Sequence, residues 1–173
     1  MEPLQTTDLV CTMRTATENV FNTMLSLPIV AGEPAQEPAG PAIFDGVVGL
    51  IGITGLWAGT GRVACSSRFA CQLAGALLMS EYNDVDDDVL DAVAEVTNMI
   101  VGNIKTALED RLGPLGMSTP TVIFGRNYKT RSAGVLQWTV VPFRCNDEVL
   151  DLRLCLTPAG QIPPPVRHEH LFM

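Results

Sequence analysis

Residues 86–112, DDDVLDAVAEVTNMIVGNIKTALEDRL, form a long run of helical periodicity with no proline and one glycine. At about 100° per residue, Val89, Val93, Val96, Ile100, Ile104 and Ala107 fall on one stripe, so the stretch predicts an amphipathic helix. Asp91, Glu95, Asn98, Gly102 and Glu109 fall on the opposite side. A helix of this kind is stable only if its apolar stripe is covered by another layer of structure. The polar side sets a carboxylate and a carboxamide, Glu95 and Asn98, one turn apart, about 5–6 Å between Cβ atoms. One group only accepts hydrogen bonds and the other both donates and accepts, so the pair can engage one small target together. Gly102 fits this reading. An interior helix glycine costs about 1 kcal/mol relative to alanine, and on an exposed face that cost is explained if a partner approaches the backbone there.

The rest of the chain supplies the covering layer. With 173 residues, 47% hydrophobic and 17% charged, it is long and apolar enough for one domain with a substantial core. A net charge of −8 argues against nucleic acid and against anionic membrane surfaces as partners. Leu9, Met13, Ala16, Val20, Met24 and Leu27 recur at helical spacing over residues 8–27, with Asp8 as candidate N-cap and Pro28 as the stop. Residues 31–42, AGEPAQEPAGPA, predict a solvent-exposed proline-rich loop. AIFDGVVGLIGITG and LWAGTGRVACSS read as adjacent strands, with glycines serving turns and close packing. Residues 68–80 read as a helix, and an acidic linker then leads into the long helix, which Leu112, Gly113 and Pro114 end. Strands follow at 121–126, 134–144 and 149–157, with Asn146-Asp147 as the turn between the last two. The order α-β-β-α-α-β-β-β predicts an α+β fold, helices packed on a largely antiparallel sheet, over residues 1–157. Residues 158–173 read as an extended C-terminal tail.

Other motifs lead to no second chemistry. Asp84, Asp86, Asp88 and Glu95 fall in the register of a calcium-binding EF-hand loop, but its glycine position holds Val89, and an acidic, capped helix start explains the aspartates better. His168 and His170 flank Glu169 in the tail without zinc-site spacing. With no histidine elsewhere, a histidine-based triad has no base. The glycines at 46–61 match no phosphate-cradling motif. Cys11, Cys65, Cys71, Cys145 and Cys155 read as reduced, mostly buried thiols. Arg126, Lys129 and Arg131 lie in GRNYKTR, either a solvated hairpin or a contact for an acidic partner. No secretory signal and no membrane span is read, so a cytoplasmic location is expected.

DAVAEVTNMIVGNIKTAL, followed by Pro120 in STPTVIFG, resembles the chemotaxis phosphatases of the CheC/CheX/FliY group, CheX above all. The group's signature of Asp or Ser, Glu, Asn and a later Pro falls here on Asp91, Glu95, Asn98 and Pro120. The likeness extends through NVFNTMLSL, GVVGLIGITG and the helix at 68–80, covering about residues 8–157. It implies a CheC-like fold and an enzyme that hydrolyses the aspartyl phosphate of a phosphorylated CheY-like receiver. By resemblance, Glu95 docks the receiver's lysine, Asn98 orients the attacking water, and Asp91, Gly102 and Pro120 lie at the partner contact. No cofactor is expected in this chain; Mg²⁺ is expected in the receiver's site. CheC-type members repeat the Glu/Asn pair on their first helix, but here Glu18 is followed three positions on by Phe21. One active helix per chain is therefore expected, as in CheX, together with a homodimer. The alternative is a receiver-docking module without catalysis.

Overall fold

The computed structural model describes residues 4–38, 40, 42–130 and 137–161. Helix α1 (Thr6–Val20) runs into a wider turn over Phe21–Leu25 and stops at Ser26, whose φ of 52° is left-handed. Four strands follow: β1 (Val30–Ala31), β2 (Ala35–Pro38), β3 (Ala42–Gly55) and β4 (Trp57–Cys65). Next come α2 (Ser67–Leu78), α3 (Asp87–Leu112), β5 (Leu115–Met117), β6 (Thr121–Thr130), β7 (Gln137–Cys145) and β8 (Glu148–Pro158). Every strand pairing is antiparallel, in the order β1-β7-β8-β4-β3-β5, with β2 also on β7 and β6 also on β3. Helices on a curled antiparallel sheet make this the expected α+β fold.

Strand alternation decides where α3 lies. Val47, Ile51 and Ile53 of β3 and Val63 and Cys65 of β4 join the helices in one core, because successive strand residues point to opposite faces. On that same face two positions hold no side chain. A Cβ at Gly49 would stand 2.1 Å from Thr97 Oγ1, and one at Gly61 would stand 2.7 Å from Val101 Cγ2. These glycines are notches into which α3 settles, a role beyond the turns and strand packing that their spacing suggests. Thr97, fully buried there, donates its hydroxyl hydrogen to the Val93 carbonyl at 2.7 Å, so the close contact strands no polar group. α1 and α2 both pack against α3. Val89, Val93, Val96, Ile100, Val101 and Ile104 of α3 are all fully buried, each contributing about 1.5–3 kcal/mol by leaving water. The stripe ends on buried Leu108; Ala107 is exposed. With 3.6 residues per turn, the position stacked over Ile104 is 108.

Two further expectations are corrected. Within residues 31–42, Ala31 of β1 and Ala35–Pro38 of β2 are paired on the edge of β7 rather than looped out, with Gln36 opposite Thr139 and its Nε2 donating to Thr139 Oγ1 at 2.8 Å. Prolines are tolerated there because an edge strand pairs on one side only. The N-cap of α1 is Gln5, and Asp8 instead sits in the first turn, accepting from Arg111 Nη1 at 2.7 Å. At the other end β8 continues to Pro158, opposite Trp57, and Ala159–Gln161 add a short 3₁₀ turn. Residues 162–173, with His168 and His170, lie outside the described residues.

Candidate active face of the long helix

The long helix is held firmly at both ends. Asp86 caps it, Oδ1 accepting from the Val89 N–H at 3.0 Å, with Asp87 and Asp88 beside it in the first turn, where they suit the helix dipole. Asp86 is thus the helix cap, and Asp88 turns towards the Tyr82 hydroxyl at 3.5 Å. At the far end Gly113, at φ 79°, closes the helix with its N–H on the Glu109 carbonyl at 2.9 Å. Glu109, on the polar stripe, works as a brace: its carboxylate accepts from Lys105 Nζ at 2.8 Å and from the Leu115 N–H at 3.0 Å. The Lys105 hydrogen bond first, then that backbone donor, hold its carboxyl below the ordinary carboxylate value.

The middle of the stripe is different. Asp91 and Glu95 are exposed and Asn98 is half-buried. The side-chain hydrogen bonds and ion pairs of α3 run through Asp86, Asp88, Thr97, Lys105, Glu109 and Arg111. Among the described residues, Asp91, Glu95 and Asn98 have none. A carboxylate and a carboxamide are thus presented one turn apart on a backbone that the core makes rigid, with their hydrogen-bonding capacity unspent.

The Pro120 segment lies alongside. Thr97 abuts Gly49, Gly49 pairs with Val122, and β6 begins at Thr121, directly after Pro120. One turn further along α3, a Cβ placed on Gly102 would meet only Met117 Cε, at 3.6 Å. Met117 therefore borders the helix at Gly102, and residues 118–120 lead from it to the start of β6. Ser118 holds this crossing to β3. Its N–H donates to the Gly52 carbonyl, its Oγ accepts from the Gly52 N–H, and its hydroxyl donates to the Thr119 carbonyl, each at 2.9 Å. Met117 and Ser118 were not singled out by sequence; a serine just ahead of the Thr-Pro that opens a strand is the signal that was there to use.

The best-formed cavity and four of the five cysteines lie away from this face. A cavity of about 650 Å³ between α2 and residues 80–85 is lined by Arg68, Cys71, Tyr82 and Phe124, not by Glu95 or Asn98. The cysteines are all free, four of them buried. Burial pushes the Cys65 thiol up to about 12 and raises Cys71, Cys145 and Cys155. Those four are thiols rather than thiolates, as a core residue should be. Arg126 and Lys129 belong to β6, which outruns its expected end at residue 126, and both are exposed on it. Arg131 lies outside the described residues.

Comparison with known proteins places the chain in a family. The family model described as chemotaxis phosphatase CheX matches residues 47–144, a span containing Asp91, Glu95, Asn98, Gly102 and Pro120. The CheY-P phosphatase CheX of Thermotoga maritima is 34% identical over 116 residues, 66% of this chain and 74% of that one. The crystal structure of the chemotaxis protein CheX from Desulfovibrio desulfuricans superposes with a TM-score of 0.78 at 29% identity, covering 87% of this chain and 99% of that one. A CheX–CheY–BeF₃–Mg²⁺ complex from Borrelia burgdorferi shares the fold, with a TM-score of 0.72 at 24% identity over 86% of this chain and 97% of that one. The resemblance read from the sequence is borne out: the chain belongs to the CheX family of chemotaxis phosphatases.

Proposed function

We propose that this chain hydrolyses the aspartyl phosphate of a phosphorylated CheY-like receiver, using the exposed face of α3. The observation that carries the reading is the unspent Glu95/Asn98 pair on a rigid helix, in a chain 34% identical to a CheY-P phosphatase. An acyl phosphate is intrinsically reactive, so the catalyst's task is to hold a water in line with phosphorus. The Asn98 carboxamide suits that task, because it donates and accepts without changing its protonation state. Glu95 docks the receiver by pairing with its active-site lysine. Asp91, one turn earlier, adds to a negative surface that favours such an approach. Gly102 removes the side chain that would keep the receiver's backbone away, and Pro120 borders the contact from the sheet side.

Mg²⁺ belongs with the receiver in this reading. The Borrelia relative of the same fold was solved together with CheY and Mg²⁺, and among the described residues here no three His, Cys, Asp or Glu side chains gather as a cation cage. The protein acts as a homodimer with one active helix per chain. No described helix is long and apolar enough to cross a membrane, and a receiver substrate puts the activity in the cytoplasm. The test is to add the purified protein to phosphorylated receivers from the same genome. At least one receiver should lose phosphate much faster than by its own hydrolysis. Tight binding with no change in phosphate half-life would leave a docking module and overturn the enzymatic reading.

A further inference from the structure

The face of the sheet turned away from the helices is not flat. β3, β4 and β8 form its floor, and residues of β2, β6 and β7 curl over it to enclose a cavity of about 350 Å³. Val48, Leu50, Ile123 and Trp138 give the cavity an apolar lining, and Arg62 and Arg153 also face into it. The two arginines are direct cross-strand partners, an arrangement that like charges make unfavourable unless each is compensated.

Both lie near Asp151 and Glu37, but only Arg153 is hydrogen-bonded to them. Arg153 donates through Nε to Asp151 Oδ1 and through Nη1 to Glu37 Oε2, both at 2.6 Å. Arg62 is 8% exposed, and its Nη2 is buried with no hydrogen-bond partner among the described residues. Its guanidinium carbon stands 4.0 Å from the Phe44 ring centroid. That contact favours a cation but satisfies no N–H. Tyr128, whose ring is 6.1 Å from Phe44, also buries a hydroxyl without a partner. Burial first, and then the charge of Arg153, lower the pKa of Arg62, but an arginine cannot shed its proton to escape such a site. A buried guanidinium with an unpaired donor, in the wall of a cavity that also carries apolar side chains, is suited to an anion with an apolar body.

We propose that this cavity is a binding site for a small organic carboxylate, its oxygens on the Arg62 guanidinium and its apolar body against Leu50, Ile123 and Trp138. The volume admits a single-ring or short branched acid. The site lies on the opposite face of the sheet from Glu95 and Asn98, so it would be a ligand input separate from the receiver contact.

The test uses the whole chain and benzoate as probe, with inorganic phosphate and sodium chloride at matched ionic strength as the other arms. Benzoate at ten times its dissociation constant should raise Tm by about 3–6 °C and perturb the fluorescence of Trp138, with chloride doing neither. Arg62→Met should abolish the response. Leu50→Phe, which fills the cavity while leaving Arg62 in place, should abolish it independently should the first variant fail to fold. Absence of a benzoate shift in the unmodified protein, or an equal shift in Arg62→Met, overturns the site. A larger shift with phosphate than with benzoate overturns the organic carboxylate. A Tm that climbs with protein concentration and ignores benzoate would mean that a second copy closes the cavity, and overturns the proposal as well.

Discussion

The two faces of α3 share one backbone and do opposite work. Towards the sheet, Val93, Val96, Thr97, Ile100 and Val101 are buried without remainder, and Gly49 and Gly61 are hollowed out to receive them. Towards the surface, Asp91, Glu95 and Asn98 have no polar side-chain partner among the described residues, and Gly102 gives up helix stability for an open backbone. The lesson is a division of labour: the inner face holds position, and the middle of the outer face, from Asp91 to Asn98, spends none of its side-chain chemistry on the fold among the described residues. Substitutions on the inner face should therefore cost stability, and those on the outer face should cost activity.

The largest expected effect is on the inner face. Ile100→Ala should lower unfolding free energy by about 2–5 kcal/mol in denaturant titration, while folded molecules keep their phosphatase turnover. Loss of turnover in the fully folded variant would break the division. On the outer face, Glu95→Ala should raise KM for phosphorylated receiver about tenfold, about 1.4 kcal/mol, with kcat little changed and Tm unmoved. A fall in kcat alone would move Glu95 from docking to chemistry.

Gly102→Ala sharpens the comparison because its two effects have opposite signs. A Cβ there meets only Met117 Cε at 3.6 Å, an ordinary contact, so the helix should gain up to about 1 kcal/mol. Receiver binding should weaken at the same time; if it does not, no partner backbone comes close at Gly102. The smallest effect concerns Glu109, on the polar stripe yet used for the fold. Its folded pKa is depressed by Lys105 and the Leu115 N–H. Its stabilising contribution is therefore present above the unfolded carboxylate value, about 4.3, and is lost as pH falls through the lower folded value. Glu109→Gln should flatten the decline of Tm in acid and leave receiver dephosphorylation alone.

What could be read ahead of the structure follows the range of the forces involved. α3, its acidic cap and its Gly113 stop are local, and so is the Glu95/Asn98 spacing, which needs only helix geometry. The β7–β8 hairpin was equally plain, with Asn146 taking the left-handed φ of 52° that its turn requires. β1 and β2 were not readable, because Ala35, Gln36 and Glu37 carry no alternating apolar signal and gain their order from β7. The clamp of Ser118 on Gly52 joins residues 66 apart in sequence and has no local signature. Arg62 was missed for a different reason. In an open sheet its position would face solvent, and only the curl of the sheet buries it.

The most direct test of the account is the Asn98→Ala variant, measured for both phosphatase rate on a cognate phosphorylated receiver and thermal stability. A water-positioning carboxamide predicts a loss of about 100-fold in kcat, with receiver binding retained and Tm within a degree or two of the unmodified protein. An Asn98→Ala protein that dephosphorylates the receiver at the unmodified rate would contradict the assignment of the chemistry to this face of α3.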